Sequence, residues 1–365
     1  MSRVVSLGRR ALLWLAVFAA LCWLVRGYPV RDPDSMLYEW IARTLQDRPL
    51  REWIAPHFPL GWPSQQGLFF EHFACLFWPA AALGRLGLRG ALAANFLWML
   101  LSYALLFRLA RSWSGDAAAW AVVFFYAISP IGLQYLVRAN QEPPLACAYL
   151  GALWCVAQKR PRPIALAGFL LLAVAIKGAL GLAIFPVVLS SSRRRQDLYG
   201  LALGVATVAS FCVFYELWFE HVAGTGFFRQ YFERQMVAVV GEERRGFINK
   251  LATPLYYLGC VSWFGLPGLG IVLFESIRRR KAQVASALTP LAVCVAVFSL
   301  LSRRAVRYIF PAYALCNLAG AQVAIDGAPR LREFIGRNER VLGPALAAFL
   351  IAGTAVRVAF GGHVP

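Results

Sequence analysis

The feature that most constrains this chain is the recurrence of long apolar runs. They fall at approximately 11–26, 67–84, 90–107, 116–135, 143–157, 163–178, 180–190, 198–219, 252–275, 284–301, 306–325 and 341–360. A helix needs about 20 apolar residues to cross a bilayer. Several of these runs are shorter, so some helices are expected to be tilted, kinked or re-entrant. Charged residues make up only 15% of the 365 positions, well below the roughly 25% of soluble domains. The expected fold class is all-α, a polytopic integral membrane protein comprising one domain over 1–365.

The net charge of +19 raises the question of nucleic acid. The cations, however, sit in short clusters between apolar runs, which is the distribution the positive-inside rule produces, and no nucleic-acid partner is expected. If the run at 67–84, which holds Glu71 and His72, lies at the outer surface without spanning, the other runs alternate from a cytoplasmic N-terminus. Cytoplasmic segments then carry nineteen cations against six acids, and outer segments eighteen against twelve. This arrangement predicts eleven crossings, give or take one or two. Arg3, Arg9 and Arg10 followed by Ala11–Val25 resemble a signal peptide, but no small-residue cleavage site follows. Leu21 before Cys22 fits a lipoprotein site poorly. An uncleaved first helix is expected. The eight cysteines form no Cys-x-x-Cys pair and read as small apolar fillers.

Two outer loops are long, 27–64 and 220–251, and both mix acids, bases and aromatics. The first opens Arg31-Asp32-Pro33-Asp34-Ser35-Met36-Leu37-Tyr38. Pro33 keeps Asp32 out of helical geometry, and Asp34 or Ser35 can cap the helix that follows. A capping role and a catalytic role for these carboxylates are compatible. Tyr38 lies one helical turn beyond Asp34 and can reach the same pocket. Lys177 lies at an apolar helix end, where a charge is costly and function is the default reading. Glu142 begins a helix, where a negative charge is favourable in its own right; the alternative is a second carboxylate orienting an acceptor or a metal. Asp32, Asp34 and Glu142 could together supply oxygen ligands to a divalent cation. His57 is the histidine of most interest, because it lies in the motif-like stretch His57–Pro63.

Asp34, Tyr38, Ala42 and Arg43 follow an Asp-x3-Tyr-x3-Ala-Arg pattern that resembles the opening of the first periplasmic loop of GT-C glycosyltransferases, in the branch of protein O-mannosyltransferases and lipid A aminoarabinose transferases. His57-Phe58-Pro59-Leu60 stands where that family usually has Lys-Pro-Pro-Leu. Arg138 to Leu145 is similar to a second acidic loop, Lys177-Gly178 to a Lys-Gly pair at an outer helix end, and Arg303 to Pro311 to a late basic segment. The resemblance implies transfer of a sugar from a polyprenyl-phosphate donor to a glycan, lipid or protein acceptor at the periplasmic face of the inner membrane. Direct attack with Asp34 as general base, or Asp32 in its place, would invert the sugar. The donor phosphate would be held by Lys177, Arg303, Arg304 and Arg307, with Tyr38, His57, Glu142 and Tyr308 also at the site. Members of the family differ in metal use, so the resemblance implies no particular metal, and no other cofactor is expected. The rival reading is a transporter or flippase of a lipid-linked substrate. It accounts for the helices and Lys177 but less well for the two loops, and such proteins commonly carry internal repeats, which this chain lacks.

Overall fold

The computed structural model of the chain describes residues 2–30, 32–58, 67–233, 247–279, 287–300 and 305–360. Among these residues the protein is helical, with an isolated antiparallel bridge between His57 and Leu68. The helices are α1 Ser2–Leu24, α2 Pro33–Gln46, α3 Trp78–Arg85, α4 Gly90–Ile128, α5 Pro130–Gln134, α6 Glu142–Ala157, α7 Pro163–Lys177, α8 Ile184–Leu189, α9 Arg195–Ala223, α10 Phe227–Tyr231, α11 Phe247–Phe264, α12 Gly268–Arg279, α13 Leu288–Ser299, α14 Phe310–Gly327, α15 Pro329–Arg337 and α16 Glu339–Phe360.

By length and composition, five helical runs among the described residues can cross a bilayer, or six if 252–264 and 268–276, bent by 99°, count as one. Two of the five turn back within themselves. At a 1.5 Å rise per residue, positions 103 and 126 of a straight helix would lie about 35 Å apart. Yet the rings of Tyr103 and Tyr126 are 5.6 Å apart, and those of Phe107 and Trp120 are 5.0 Å apart. The reversal is at Gly115, whose φ of 84° lies in the region that glycine alone enters at little cost. The second turnback follows α7. A short 3-10 helix, Gly178–Ala183, folds onto α7 so closely that a Cβ on Gly181 would meet the Ala173 carbonyl oxygen at 2.3 Å. The chain returns to its starting level, where the Arg194 guanidinium donates to the carbonyls of Val156 at 2.9 Å and Gln158 at 2.5 Å. Those carbonyls end α6 and lack helical partners of their own.

Burial sorts the helices into centre and rim. The span that includes α14 is 89% buried within the protein, whereas α9 and α16 are 28% and 22% buried. On α9 the exposed residues include Leu198, Val205, Val213, Phe214 and Leu217. In water that surface would be costly, but against acyl chains it loses nothing, and packing and hydrogen bonding must instead hold the helices together. One such tie is Tyr215 of α9, whose hydroxyl accepts from Ala74 N at 2.9 Å and donates to Ile54 O at 3.1 Å.

A layer of short helices is built on α2. Leu37, Tyr38, Ile41 and Leu45 form one stripe of this amphipathic helix, and they pack with Trp53, Phe58, Phe69, Phe77 and Ala81. Residues 67–85 therefore pack with α2. With α3 only 8 residues long, this stretch is too short to cross, which fits the assumption on which the charges were counted. The end of α9 and α10 add an aromatic cluster in which Phe219, Phe227 and Tyr231 pack on Phe70, Phe73 and Tyr215. Of the predicted second loop, 220–251, residues up to Ala223 continue α9, and 234–246 lie outside the described residues.

Candidate functional site

Pro33 starts α2 and Asp32 caps it. The Asp32 Oδ2 accepts the Ser35 backbone N–H at 3.1 Å and the Ser35 hydroxyl at 2.8 Å. The other oxygen takes a hydrogen bond from the Arg138 guanidinium. Both oxygens of Asp32 are thus committed to donors. Partial burial pushes its pKa up, but the bonds from Arg138 and Ser35 outweigh that and hold the carboxyl below its ordinary value. Above the unfolded-state pKa of about 4 this contribution to stability is fully present, and it is lost as pH falls through the lowered folded value. Arg138→Gln removes the depressing partner, so acid unfolding should begin at a higher pH than in the wild type. A pH series of thermal melts in detergent checks this.

Asp34 is turned the other way. One helical step along, it faces a cavity of about 440 Å³ that is also lined by Tyr135, Arg138, Asn140, Phe264, Arg307 and Tyr308. Its Oδ2 accepts from the Arg307 guanidinium and, at 3.4 Å, from Asn140 Nδ2. The Asp34 side chain keeps 36% exposure and Arg307 keeps 40%, so both remain open to a ligand entering the cavity. Behind this surface is a buried charge pair. Lys177 Nζ lies 3.9 Å from Glu142 Oε1, with side-chain exposures of 5% and 0%. The same ammonium sits 5.5 Å from the centroid of the Tyr308 ring. Tyr308 therefore separates Lys177 from the open cavity and contacts both.

The turn that presents Lys177 is held from outside. Gly178 has a φ of +58°, and a Cβ there would meet the Tyr231 hydroxyl at 2.2 Å. That hydroxyl accepts from Ala179 N at 2.8 Å. Gly178→Ala combines an unfavourable backbone conformation with a clash, and such a change should cost about 1–3 kcal/mol. A lowered melting temperature in detergent, with no lowering for Gly168→Ala, which lies inside α7 with nothing within 4 Å and gains helix propensity, is the expected result.

Of the residues singled out from sequence, Asp34, Arg307 and Tyr308 line one cavity, and Lys177 and Glu142 lie directly behind it. Tyr38 is buried and its hydroxyl accepts from Gln141 Nε2. His57 is not among the cavity residues. It forms the bridge with Leu68, and its pKa is lowered by burial and by Arg48, which follows the end of α2 opposite Asp34. Arg303 and Arg304 lie outside the described residues. The carboxylates considered as metal ligands do not converge: Asp32 is saturated by donors, Asp34 pairs with Arg307, and Glu142 faces Lys177. Among the described residues no group of three or more His, Cys, Asp or Glu side chains is placed to hold a metal ion.

Residues not singled out from sequence also matter to this geometry. Arg138, Asn140 and Gln141 were visible only as neighbours in a motif, yet each reaches across to α2. Ser35 was visible only as a possible cap. His72, named from sequence only as part of the run at 67–84, is buried; burial first, and then the Lys177 charge, hold its pKa well below the ordinary value.

No family model matches the chain, and no curated protein matches it in sequence. Solved structures do match. The crystal structure of ArnT from Cupriavidus metallidurans bound to undecaprenyl phosphate superposes with a TM-score of 0.68 at 17% identity, covering 96% of this chain and 76% of that one. The apo form of the same protein gives 0.67 at 16% identity, with 97% and 77% covered. An oligosaccharyltransferase from Archaeoglobus fulgidus aligns at a TM-score of 0.48 and 13% identity, over 95% of this chain and 56% of its own. The agreement with ArnT covers nearly the whole chain, and it shows that this multi-pass membrane protein shares the fold of ArnT.

Proposed function

We propose that the protein is a membrane glycosyltransferase that moves a sugar from a polyprenyl-phosphate donor to an acceptor at the outer face of the membrane. The observation that carries this reading is the cavity in which a half-open carboxylate, Asp34, faces the guanidinium groups of Arg138 and Arg307. Transfer needs a base for the acceptor hydroxyl and cations for the departing phosphate, side by side at the level where a lipid headgroup sits. The undecaprenyl phosphate bound to ArnT supports a lipid phosphate as the ligand.

In the proposed reaction the acceptor oxygen attacks the anomeric carbon as its proton passes to Asp34. The bond from that carbon to the phosphate oxygen breaks, and its electron pair leaves with the polyprenyl phosphate. The sugar is inverted, with no covalent enzyme intermediate. A positioned carboxylate typically contributes 10²–10⁴-fold to such a step. Arg307 is shared in this scheme: the donor phosphate competes with Asp34 for the guanidinium, and its arrival frees the carboxylate to accept a proton. Arginine suits the exchange because its planar fork binds either oxyanion. Lys177 presents the positive end of its pair with Glu142 to the Tyr308 ring, in a dry wall where charges are weakly screened. In this reading the active site faces the periplasmic side of an inner membrane and the chain crosses about eleven times; the charge distribution and the reversals at Gly115 and Gly178 support that count.

The test is transfer from labelled polyprenyl-phosphate sugars by the purified protein in nanodiscs, with membrane glycans, lipids and proteins offered as acceptors. Label appearing in an acceptor with inverted anomeric configuration is expected. Saturable donor binding that moves label only between leaflets would instead make the protein a lipid carrier.

A further inference from the structure

The hydroxyl of Ser35 is used twice, and neither use is required by its own helix. Asp32 already caps α2 through the Ser35 backbone N–H, so the cap survives without the hydroxyl. The hydroxyl donates to Asp32 Oδ2 at 2.8 Å and accepts from the backbone N–H of Ala139 at 3.0 Å. Ser35 is 0% exposed and Ala139 2%. Water cannot reach this bond, so no solvent molecule stands in for either partner.

The bond lies within a stitched seam. Arg138 reaches Asp32, Ala139 reaches Ser35, Asn140 reaches Asp34 and Gln141 reaches Tyr38. Four consecutive residues thus each take one partner on the first two turns of α2, and the next residue is Glu142, the partner of Lys177. On the α2 side of the seam Ser35 is wholly buried, and its partner across the seam is backbone rather than a movable side chain. It sets the spacing between the start of α2, which carries Asp34, and the start of α6, which carries Glu142.

We propose that Ser35 is a positioning residue that holds the Asp34 carboxylate in register with the phosphate-binding side of the cavity. The proposal rests on the reading of Asp34 as the base. A misplacement of about 1 Å can cost on the order of 10²-fold in rate, without a matching loss of donor affinity. Ser35 therefore acts on kcat and little on the donor KM.

The test compares the full-length wild type with Ser35→Ala, Ser35→Cys and Asp34→Asn in nanodiscs. Cysteine is close to serine in size but a weak hydrogen-bond partner. Both Ser35 variants should lower kcat by roughly 10–100-fold, with donor KM within about threefold, and melting temperatures should fall modestly because the buried Ala139 N–H loses its acceptor. Wild-type kcat in Ser35→Cys would show that the residue only fills space and would overturn the proposal. A raised KM with unchanged kcat would overturn it as well. Asp34→Asn separates the two readings: if it keeps full transfer, the base assignment fails; if it loses transfer while Ser35→Cys does not, only the positioning proposal fails. Hydrogen exchange supplies a readout that needs no substrate. Amides 138–142 should exchange roughly tenfold faster or more in both Ser35 variants, while α7 and α14 stay unchanged. Unaltered protection at 138–142 overturns the proposal by itself.

Discussion

Asp34→Asn is expected to reduce glycosyl transfer by about 10²–10⁴-fold and to leave the fold intact. Asparagine has nearly the shape of aspartate and keeps an oxygen for Asn140, but it cannot take up a proton from an acceptor. The ion pair it removes is between two side chains at 36% and 40% exposure, and pairs that open to solvent contribute little to stability. A loss of rate without a loss of melting temperature therefore points to chemistry. Asp32→Asn is the matched comparison. Asparagine caps helices as well as aspartate does, so α2 should form, but the charge facing Arg138 disappears. Its expected effect on transfer is smaller, because the Asp32 oxygens are already occupied by donors. Transfer lost in Asp32→Asn and kept in Asp34→Asn would move the base to Asp32 and sink the assignment made here.

The second large effect is expected at the buried pair. Lys177→Met should lower stability by roughly 3–5 kcal/mol, because it leaves the Glu142 charge buried without a partner. It should also raise the donor KM by removing positive potential behind Tyr308. These two losses are separable. Glu142→Gln placed on top of Lys177→Met removes the stranded charge, so melting temperature should recover substantially, the signature of coupling between residues in contact. The donor KM should stay high. Recovery of both stability and donor KM in the double variant would mean that Lys177 serves only to neutralise Glu142, and its part in binding phosphate would be withdrawn.

Much of the scaffold was legible without coordinates because its determinants are local. Apolar runs and cation clusters mark helices and their sides. The Asp32-Pro33 pair marks where α2 begins, and its spacing puts Tyr38 on the turn after Asp34. The same local signals do not determine which of two adjacent carboxylates faces a ligand. Asp32 and Asp34 looked interchangeable in sequence, and they differ in the structure because Arg138 and Ser35 occupy one while the other faces Arg307. His57 illustrates the reverse case: its place in a motif-like stretch drew attention to it, but it pairs with Leu68 and does not line the cavity that Asp34 faces.

The amino-acid sequence by itself determined that this chain is a helical membrane protein, where α2 starts, and which charged residues stand near the ends of helices. Hydropathy, capping and helical periodicity act over a few residues, so they can be read along the chain. Only the tertiary structure decided that Arg307 meets Asp34 across 273 positions, that Arg138 meets Asp32 across 106, and that Ser35 meets the backbone of Ala139 across 104. Such contacts depend on the helix reversals at Gly115 and Gly178 and on how buried faces pack, and no local property of either partner specifies them.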